Sequence, residues 1–321
     1  MPPSSQTSWN SEKTRIAKLV WWEDVTKKVK HFPIDQFVYH LHPIGVAANL
    51  MGSDCSCGEA LTKEQLSSIA PQASEDSIAE YIDSINSMFD KFAIHTCINR
   101  AHILAQMLHE SGSFRYTKEL GTNLSYDPWR GRGLIQITGM TNYIKYGDSI
   151  GEDTISNAAA YQKLEKSPHA VLSAGWYWSE FKNLSKSGDE DDFIWCTAVV
   201  NGAYNGYNDR LSHLNRATSA LKIGSCAPKN KSGNYIFSES KAYDNRRYSF
   251  AWGLWHDPAS NKSGVTKSTQ KAIDGYQRYI DLHEAAGRPA EPSLNKYWYG
   301  LIVSSYRNFA ETQINRLKDE Q

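Results

Sequence analysis

From Leu61 onward the chain alternates between polar stretches and stretches in which apolar residues recur every three or four positions, the period of an amphipathic helix. Thr62, followed three residues later by Gln65, reads as a capping box opening one helix, and Ile78, Ile82, Ile85 and Phe89 mark a second. A third starts after the cap Thr96, carries Ile98, Ala101, Ala105 and Leu108 on one face, and stops near Gly112. Further helical stretches run from Pro168 to about Phe181 and from about Asp191 to Val200. Between these, Gly131 to Gly139 is bracketed by glycines and reads as an extended stretch, in which Gln136 and Thr138 point to the same side.

Beyond Cys226 the text turns to Ser, Lys, Asn, Asp and Tyr and reads as irregular through Gly264. Ala272, Ile273, Tyr276, Tyr279 and Ile280, then Trp298, Leu301, Ile302, Tyr306, Phe309 and Leu317 past Pro292, predict two helices able to pair as a hairpin. At the other end, residues 1–31 are polar with one amphipathic patch, Ile16 to Trp22, and the prolines within His31 to Val46 restrict that run to short extended pieces. The pattern predicts a mainly α protein in three segments: an N-terminal arm or adaptor over 1–58, a helical domain over 59–226, and a C-terminal helical extension over 227–321 that braces it.

Charge and composition narrow the function. The 35 Lys and Arg balance the 35 Asp and Glu, so the basic excess that nucleic-acid binding draws on is missing. Hydrophobic residues at 40% and aromatics at 12% supply a core. No apolar run reaches the roughly 18 residues of a membrane span, and the first residues lack the basic start and apolar run of a secretory signal. The 5 cysteines are sparse and odd in number, which does not read as a disulfide framework. His40, His42, Cys55 and Cys57 lack the usual zinc-ligand spacing. No metal or cofactor is expected.

The candidate chemistry lies at the end of the third helix. Glu110 falls in its last turn, where the helix dipole disfavours a charged carboxylate, a setting suited to a proton donor. Glu119 follows a short loop holding Phe114 and Tyr116. Two carboxylates in an aromatic, polar cleft are what glycosidic hydrolysis requires, one to protonate the leaving oxygen and one to activate water. The spacing permits this and does not by itself select it. His109 is read as packing beside the helix end. Arg132, between two glycines, is expected against a carboxylate, and Arg210 paired with Glu119 would keep the base ionised while Glu110 stays protonated. Trp176 and Trp178 sit on different faces of a helix and are expected in the core.

Four motifs in order, His109-Glu110-Ser111-Gly112-Ser113-Phe114, Gly131 to Gly139 with Asn142-Tyr143, Ala174-Gly175-Trp176-Tyr177-Trp178, and Asn201 to Gly206 with Arg210, resemble the family 19 glycoside hydrolases, which include chitinases and phage endolysins. The resemblance spans about residues 60–221 and implies a lysozyme-like, two-lobed helical fold with a small β element. It implies Glu110 as general acid, Glu119 as general base and Thr138 holding the attacking water. It also implies Gln136, Asn142, Tyr143 and Tyr126 against the sugar, Asn201 and Arg210 supporting the cleft, His109 and Arg132 in secondary roles, and inversion at the anomeric carbon. The chain departs from the family pattern at Trp129-Arg130 and at Gly202-Ala203.

The short connection from Glu110 through Glu119 to Thr138 resembles the endolysin branch, and His31 to Leu50 resembles the leading segment of bacterial effectors. These favour a muramidase acting on peptidoglycan strands, with a cognate immunity protein and a secretion-machine component as expected partners. Without a signal peptide the protein would reach the periplasm or wall of a target cell through a contractile secretion system or by lysis. A chitinase remains open, as does a non-catalytic wall-binding or adaptor protein. A metal-dependent amidase would need a spaced ligand set, which the 10 histidines do not form.

Overall fold

The computed structural model describes residues 58–122, 124–225, 233–291 and 297–321, all within the compact unit Asp54–Gln321. The expectations for the N-terminal arm, for the His40, His42, Cys55 and Cys57 set, and for Cys226 fall outside the described residues. Those residues form twelve α-helices, and β structure among them amounts to two isolated antiparallel bridges, Lys118 to Arg132 and Arg132 to Ile137. The protein is mainly helical, and no described helix is long and apolar enough to cross a membrane.

Local signals place the first helices. In α1 (Lys63–Ile69) the Thr62 hydroxyl accepts from the Gln65 N–H at 3.2 Å and the Gln65 side chain accepts from the Thr62 N–H at 2.9 Å, the reciprocal cap that the sequence predicts. α2 (Glu75–Lys91) starts at the cap Ser74 and buries Ile78, Ile82, Ile85 and Phe89. α3 (Cys97–Glu110) starts at Thr96, whose side chain accepts from the Asn99 N–H.

α3 is the axis of the fold, and every residue from Cys97 to Leu108 is buried. An amphipathic stripe was the expectation; burial on all sides is the finding. The polar residues on its other faces are paired inside the protein. Asn99 accepts from the Trp178 indole at 2.9 Å, Arg100 donates to the Ile94 and Glu59 carbonyls at 3.0 and 2.6 Å, and Nε2 of His102 meets Asp191 at 2.8 Å, while its Nδ1 is buried with no hydrogen-bond partner among the described residues. Each pairing removes the desolvation cost that an unpaired polar group would carry. Cys97 is disulfide-bonded, which the odd cysteine count did not predict, while Cys196 is a buried free thiol.

After the loop that carries the bridges come α4 (Met140–Ile150), α5 (Ala158–Gln162) and α6 (His169–Trp176), the last continuing as a π turn over Tyr177–Phe181. Trp176 and Trp178 are buried, as their spacing predicts. α7 (Ser185–Asp189), α8 (Phe193–Asn201) and α9 (Tyr207–Ala220) complete the shell around α3, with α9 lying along it.

The stretch read as irregular contains a helix, α10 (Arg246–His256). Its residues from Ser249 to His256 are all buried, so no polar face existed to produce a 3.6-residue period. α11 (Thr269–Ala285) crosses it closely enough that a Cβ on Gly275 would overlap the Gly253 backbone. α12 (Tyr306–Asp319) pairs with α11 as the expected hairpin, but it begins at the cap Ser305, and Trp298 to Ile302 precede it. Phe250 of α10 centres an aromatic cluster with Tyr276, Tyr279, Trp298, Tyr306 and Phe309 at centroid distances of 5.2 to 6.0 Å. Polar ties join this region to α8 and α9: Ser240 donates to Asp192 at 2.7 Å, Tyr235 to Asp191 at 2.8 Å, and the Trp255 indole to Asn205 at 3.2 Å.

Candidate active site

Glu110 is the last residue of α3, and the chain must reverse at once to open space in front of it. Gly112, Ser113 and Phe114 all lie in the left-handed region, at φ of 57°, 61° and 66°. Two of the three carry side chains, each at a cost of about 1–2 kcal/mol. Ser111 holds the turn: its hydroxyl donates to the Met107 carbonyl at 2.7 Å and accepts from the Phe114 N–H at 2.9 Å. Phe114 anchors it by packing on Tyr81 at 5.6 Å. Sequence reasoning left Ser111 without a role, since only the φ angles show what the turn demands.

The chain then runs to Glu119 and pairs with the returning strand at Gly131 and Arg132. The Glu119 N–H donates to the Gly131 carbonyl at 2.8 Å, and its carboxylate accepts from the Gly131 N–H at 2.9 Å and the Tyr126 hydroxyl at 2.6 Å. Both carboxylate oxygens therefore act as acceptors, a setting suited to a group that takes a proton from water. Arg130 clamps the loop, donating to both Asp127 oxygens at 2.8 and 2.6 Å and to the Glu119 and Gly121 carbonyls at 3.2 and 2.9 Å. The Asp127 carboxyl is thereby held below its ordinary range.

Gly131 to Gly139 is a tight reversal and not the extended stretch expected. Arg132 and Ile137 exchange backbone hydrogen bonds at 3.1 and 2.8 Å, and Gln136 sits in the left-handed region at φ 56°. Gln136 and Thr138 still share one side, because the reversal, rather than a strand period, turns them together. An open cleft of about 380 Å³ is lined by Glu110, Tyr116, Lys118, Glu119, Leu120, Gly131, Gln136 and Thr138. Gln136 donates to the Gly133 carbonyl at 2.9 Å, and the Thr138 hydroxyl to the Gln136 carbonyl at 3.1 Å.

The other expected residues lie behind or beside this cleft. Tyr126 is 40% exposed and bound to Glu119. Asn142 donates to the Thr138 carbonyl at 2.8 Å and fixes the start of α4. Tyr143 is fully buried, its hydroxyl donating to the Arg130 carbonyl at 2.6 Å, so its expected contact with sugar gives way to bracing the loop. Burial pushes its phenol up to about 12. Arg132 is buried against Glu165 at 2.6 Å, a carboxylate outside the cleft. Asn201 accepts from the Asn205 N–H at 3.0 Å and shapes the turn into α9.

Arg210 pairs with Glu110 and not with Glu119, which overturns the arrangement read from the sequence and removes the charge pairing that was to keep the base ionised and the acid protonated. The guanidinium is fully buried and donates to Glu110 at 2.5 Å, to the Gln106 side chain at 2.5 Å and to the Asn205 carbonyl at 3.3 Å. Gln106, one helical turn before Glu110 and fully buried, is a further supporting residue. Its place one turn back on the same face of α3 was the available signal. His109 contacts Asp209 at 2.7 Å, and burial together with the Arg210 charge holds its ring below the ordinary imidazole value. Gly206, at φ 68°, lies so close that a Cβ there would overlap the His109 ring. Among the described residues no group of three or more His, Cys, Asp or Glu is arranged to hold a metal ion.

Similarity to known proteins covers part of the chain. The chain is 36% identical over 92 residues to a glycosyl hydrolase family 19 domain-containing protein of Haemophilus influenzae, a match covering 28% of this chain and 42% of that protein. The matched region is thus less than half the length of that relative. The chain resembles the family 19 glycoside hydrolases. Among solved structures, chitinase C from Streptomyces griseus is 21% identical with a TM-score of 0.41, covering 51% of this chain and 78% of that one. A class IV chitinase from Zea mays is 20% identical with a TM-score of 0.36, covering 56% and 90%. No family model matches the chain.

Proposed function

We propose that the protein is a glycoside hydrolase that cleaves peptidoglycan between N-acetylmuramic acid and N-acetylglucosamine. The observation that carries the reading is the meeting of Glu110 and Glu119 on one open cleft, one carboxylate held by Arg210 and the other by Tyr126 and the Gly131 N–H. Glu110 protonates the glycosidic oxygen as the bond to the anomeric carbon breaks. Glu119 takes a proton from a water held near Thr138, and that water attacks the opposite face, so the configuration inverts. Arg210, itself held by Gln106 and the Asn205 carbonyl, fixes Oε1 of Glu110, and the proton passed to the leaving oxygen is carried on Oε2; no metal or cofactor takes part in this scheme.

Lys118 supports peptidoglycan over neutral chitin. It lines the cleft beside Glu119 with 44% of its side chain exposed and its ammonium 4.0 Å from Glu165, a loose exposed pairing that a lactyl or peptide carboxylate, which only peptidoglycan carries, can replace. In this reading residues 1–58 are an adaptor, residues 227–321 brace the catalytic domain, and the protein is an antibacterial effector or lysin delivered to a target cell wall. A cognate immunity protein and a secretion-machine component are its proposed partners.

The test is mass spectrometry of products from purified peptidoglycan and from chitin oligomers, with wild type beside Glu110→Gln and Glu119→Gln. Fragments ending in reducing N-acetylmuramic acid, absent with either variant and unchanged by a chelator, are the expected result. Cleavage of chitin alone moves the protein to the chitinases. Folded wild type that cuts neither substrate returns it to a wall-binding or adaptor role.

A further inference from the structure

A second groove, of about 490 Å³, lies in the region after the catalytic cleft. One wall is the stretch Tyr235 to Ser238, where Ile236 is 53% exposed. The facing wall is the outer side of α11, where Lys271, Asp274, Gln277 and Asp281 recur at steps of three and four and are all exposed. Ten residues of helix extend about 15 Å, so the wall is a row of polar groups and not a single point. Lys271 and Arg278, the latter already paired with Asp244 at 2.6 Å, offset Asp274 and Asp281 along it, which gives no preference for a strongly charged ligand. The heads are held in place: Gln270 donates to Asp274 at 2.8 Å and Gln277 to Asp281 at 2.9 Å. Each retains donor or acceptor capacity for a ligand. An apolar wall opposite a polar, charge-balanced wall fits a sugar chain, which offers C–H faces on one side and hydroxyls on the other.

A separate observation points to a ligand at the same place. Trp252 lines the groove, is 1% exposed and stacks on Phe237 at 4.8 Å with the rings 6° apart. Its indole N–H has no hydrogen-bond partner among the described residues. A buried donor left unpaired is uncommon in a folded protein, and this one belongs to a side chain of the groove wall.

We infer that this groove is an accessory glycan-binding site, holding the hydroxyl-rich sugar backbone of a glycan strand while the Glu110–Glu119 cleft acts on the same polymer. The choice of ligand rests on the hydrolase reading above; the groove itself does not. It adds a retention role to a region otherwise assigned only to bracing.

The test uses the full chain carrying Glu110→Gln, so that bound glycan stays intact. Soluble N-acetylglucosamine oligomers are added while the Trp252 indole N–H resonance, assigned with Trp252→Phe, is followed. A saturable shift of that resonance is expected. Adding Ile236→Asp and Gln277→Ala should abolish the shift and weaken co-sedimentation with insoluble peptidoglycan about tenfold. In the otherwise wild-type chain the same two changes should leave the rate on short soluble oligomers unchanged and lower the rate on insoluble peptidoglycan by a similar factor. Undiminished binding and digestion by a variant with native melting would overturn the inference. So would a resonance that moves with an unrelated peptide but not with the sugar, or an equal loss on both substrates. If the groove binds glycan but wild type cleaves none, the hydrolase reading fails and the site stands; cleavage without groove-dependent binding gives the reverse.

Discussion

Replacing Arg210 by lysine keeps the positive charge behind Glu110 and removes its geometry. The guanidinium donates to Glu110 and Gln106 at 2.5 Å and to the Asn205 carbonyl at 3.3 Å. An ammonium in this fully buried position is a point donor that can replace one of those bonds well. Two bonds from a charged donor go unmade, at about 1.5–3 kcal/mol each. Partial relaxation around the smaller head group brings the net loss to about 3 kcal/mol, near the low end for a broken buried pair. For a domain of this size 1 kcal/mol shifts Tm by roughly 2–4 °C, so the midpoint should fall by roughly 6–12 °C. Glu110, 20% exposed on its side chain, then has room to move, and displacement of this proposed acid by about 1 Å should cost about 100-fold in kcat with little change in KM. Thermal unfolding by circular dichroism and steady-state hydrolysis of a soluble oligosaccharide read both effects. A midpoint within about 2 °C of wild type together with kcat within about threefold would refute the claim that this guanidinium positions the acid.

Gly206→Ala should destabilise by about 2–3 kcal/mol, because φ 68° disfavours a side chain and the added methyl group meets the His109 ring next to Glu110; denaturant unfolding checks it, with lower kcat expected as His109 shifts. Tyr126→Phe removes one of the two donors on Glu119, and kcat should fall about tenfold while stability changes by less than about 1 kcal/mol at this exposed site, as kinetics and melting will show. Gly275→Ala forces α11 off the Gly253 backbone of α10 and should cost about 3 kcal/mol or yield insoluble protein, measured by soluble expression and melting. His213 and His256 are both held down to about 4 by burial. The unfolded chain therefore takes up protons that the folded chain refuses as pH falls from about 6.5 to 4, and stability should drop through that window by on the order of 2–3 kcal/mol per histidine. Unfolding midpoints across that range test the sign, and flat stability between pH 6.5 and 4 would contradict it.

Local physics made much of the fold legible in the sequence alone. The Thr62–Gln65 box, the Thr96 cap and the stripe from Ile78 to Phe89 are interactions within one or two helical turns, so spacing suffices to read them, and all appear in the structure. The carboxylates Glu110 and Glu119 were also within reach, since Glu110 ends a predictable helix and Glu119 follows a short loop. Three things needed the tertiary structure. The helix α10 carries no polar face, so burial erased the period that would have revealed it. The reversal at Gln136 depends on a left-handed backbone position that composition does not announce. Most consequential is Arg210, whose partner lies 100 residues earlier in the chain. A sequence shows that a buried cation and two carboxylates must be reconciled, but helix packing decides which pair meets. α9 lies along α3 and brings Arg210 to Glu110 and Gln106, because charge pairing over such separations follows from the docking of whole helices and not from the residues near either charge.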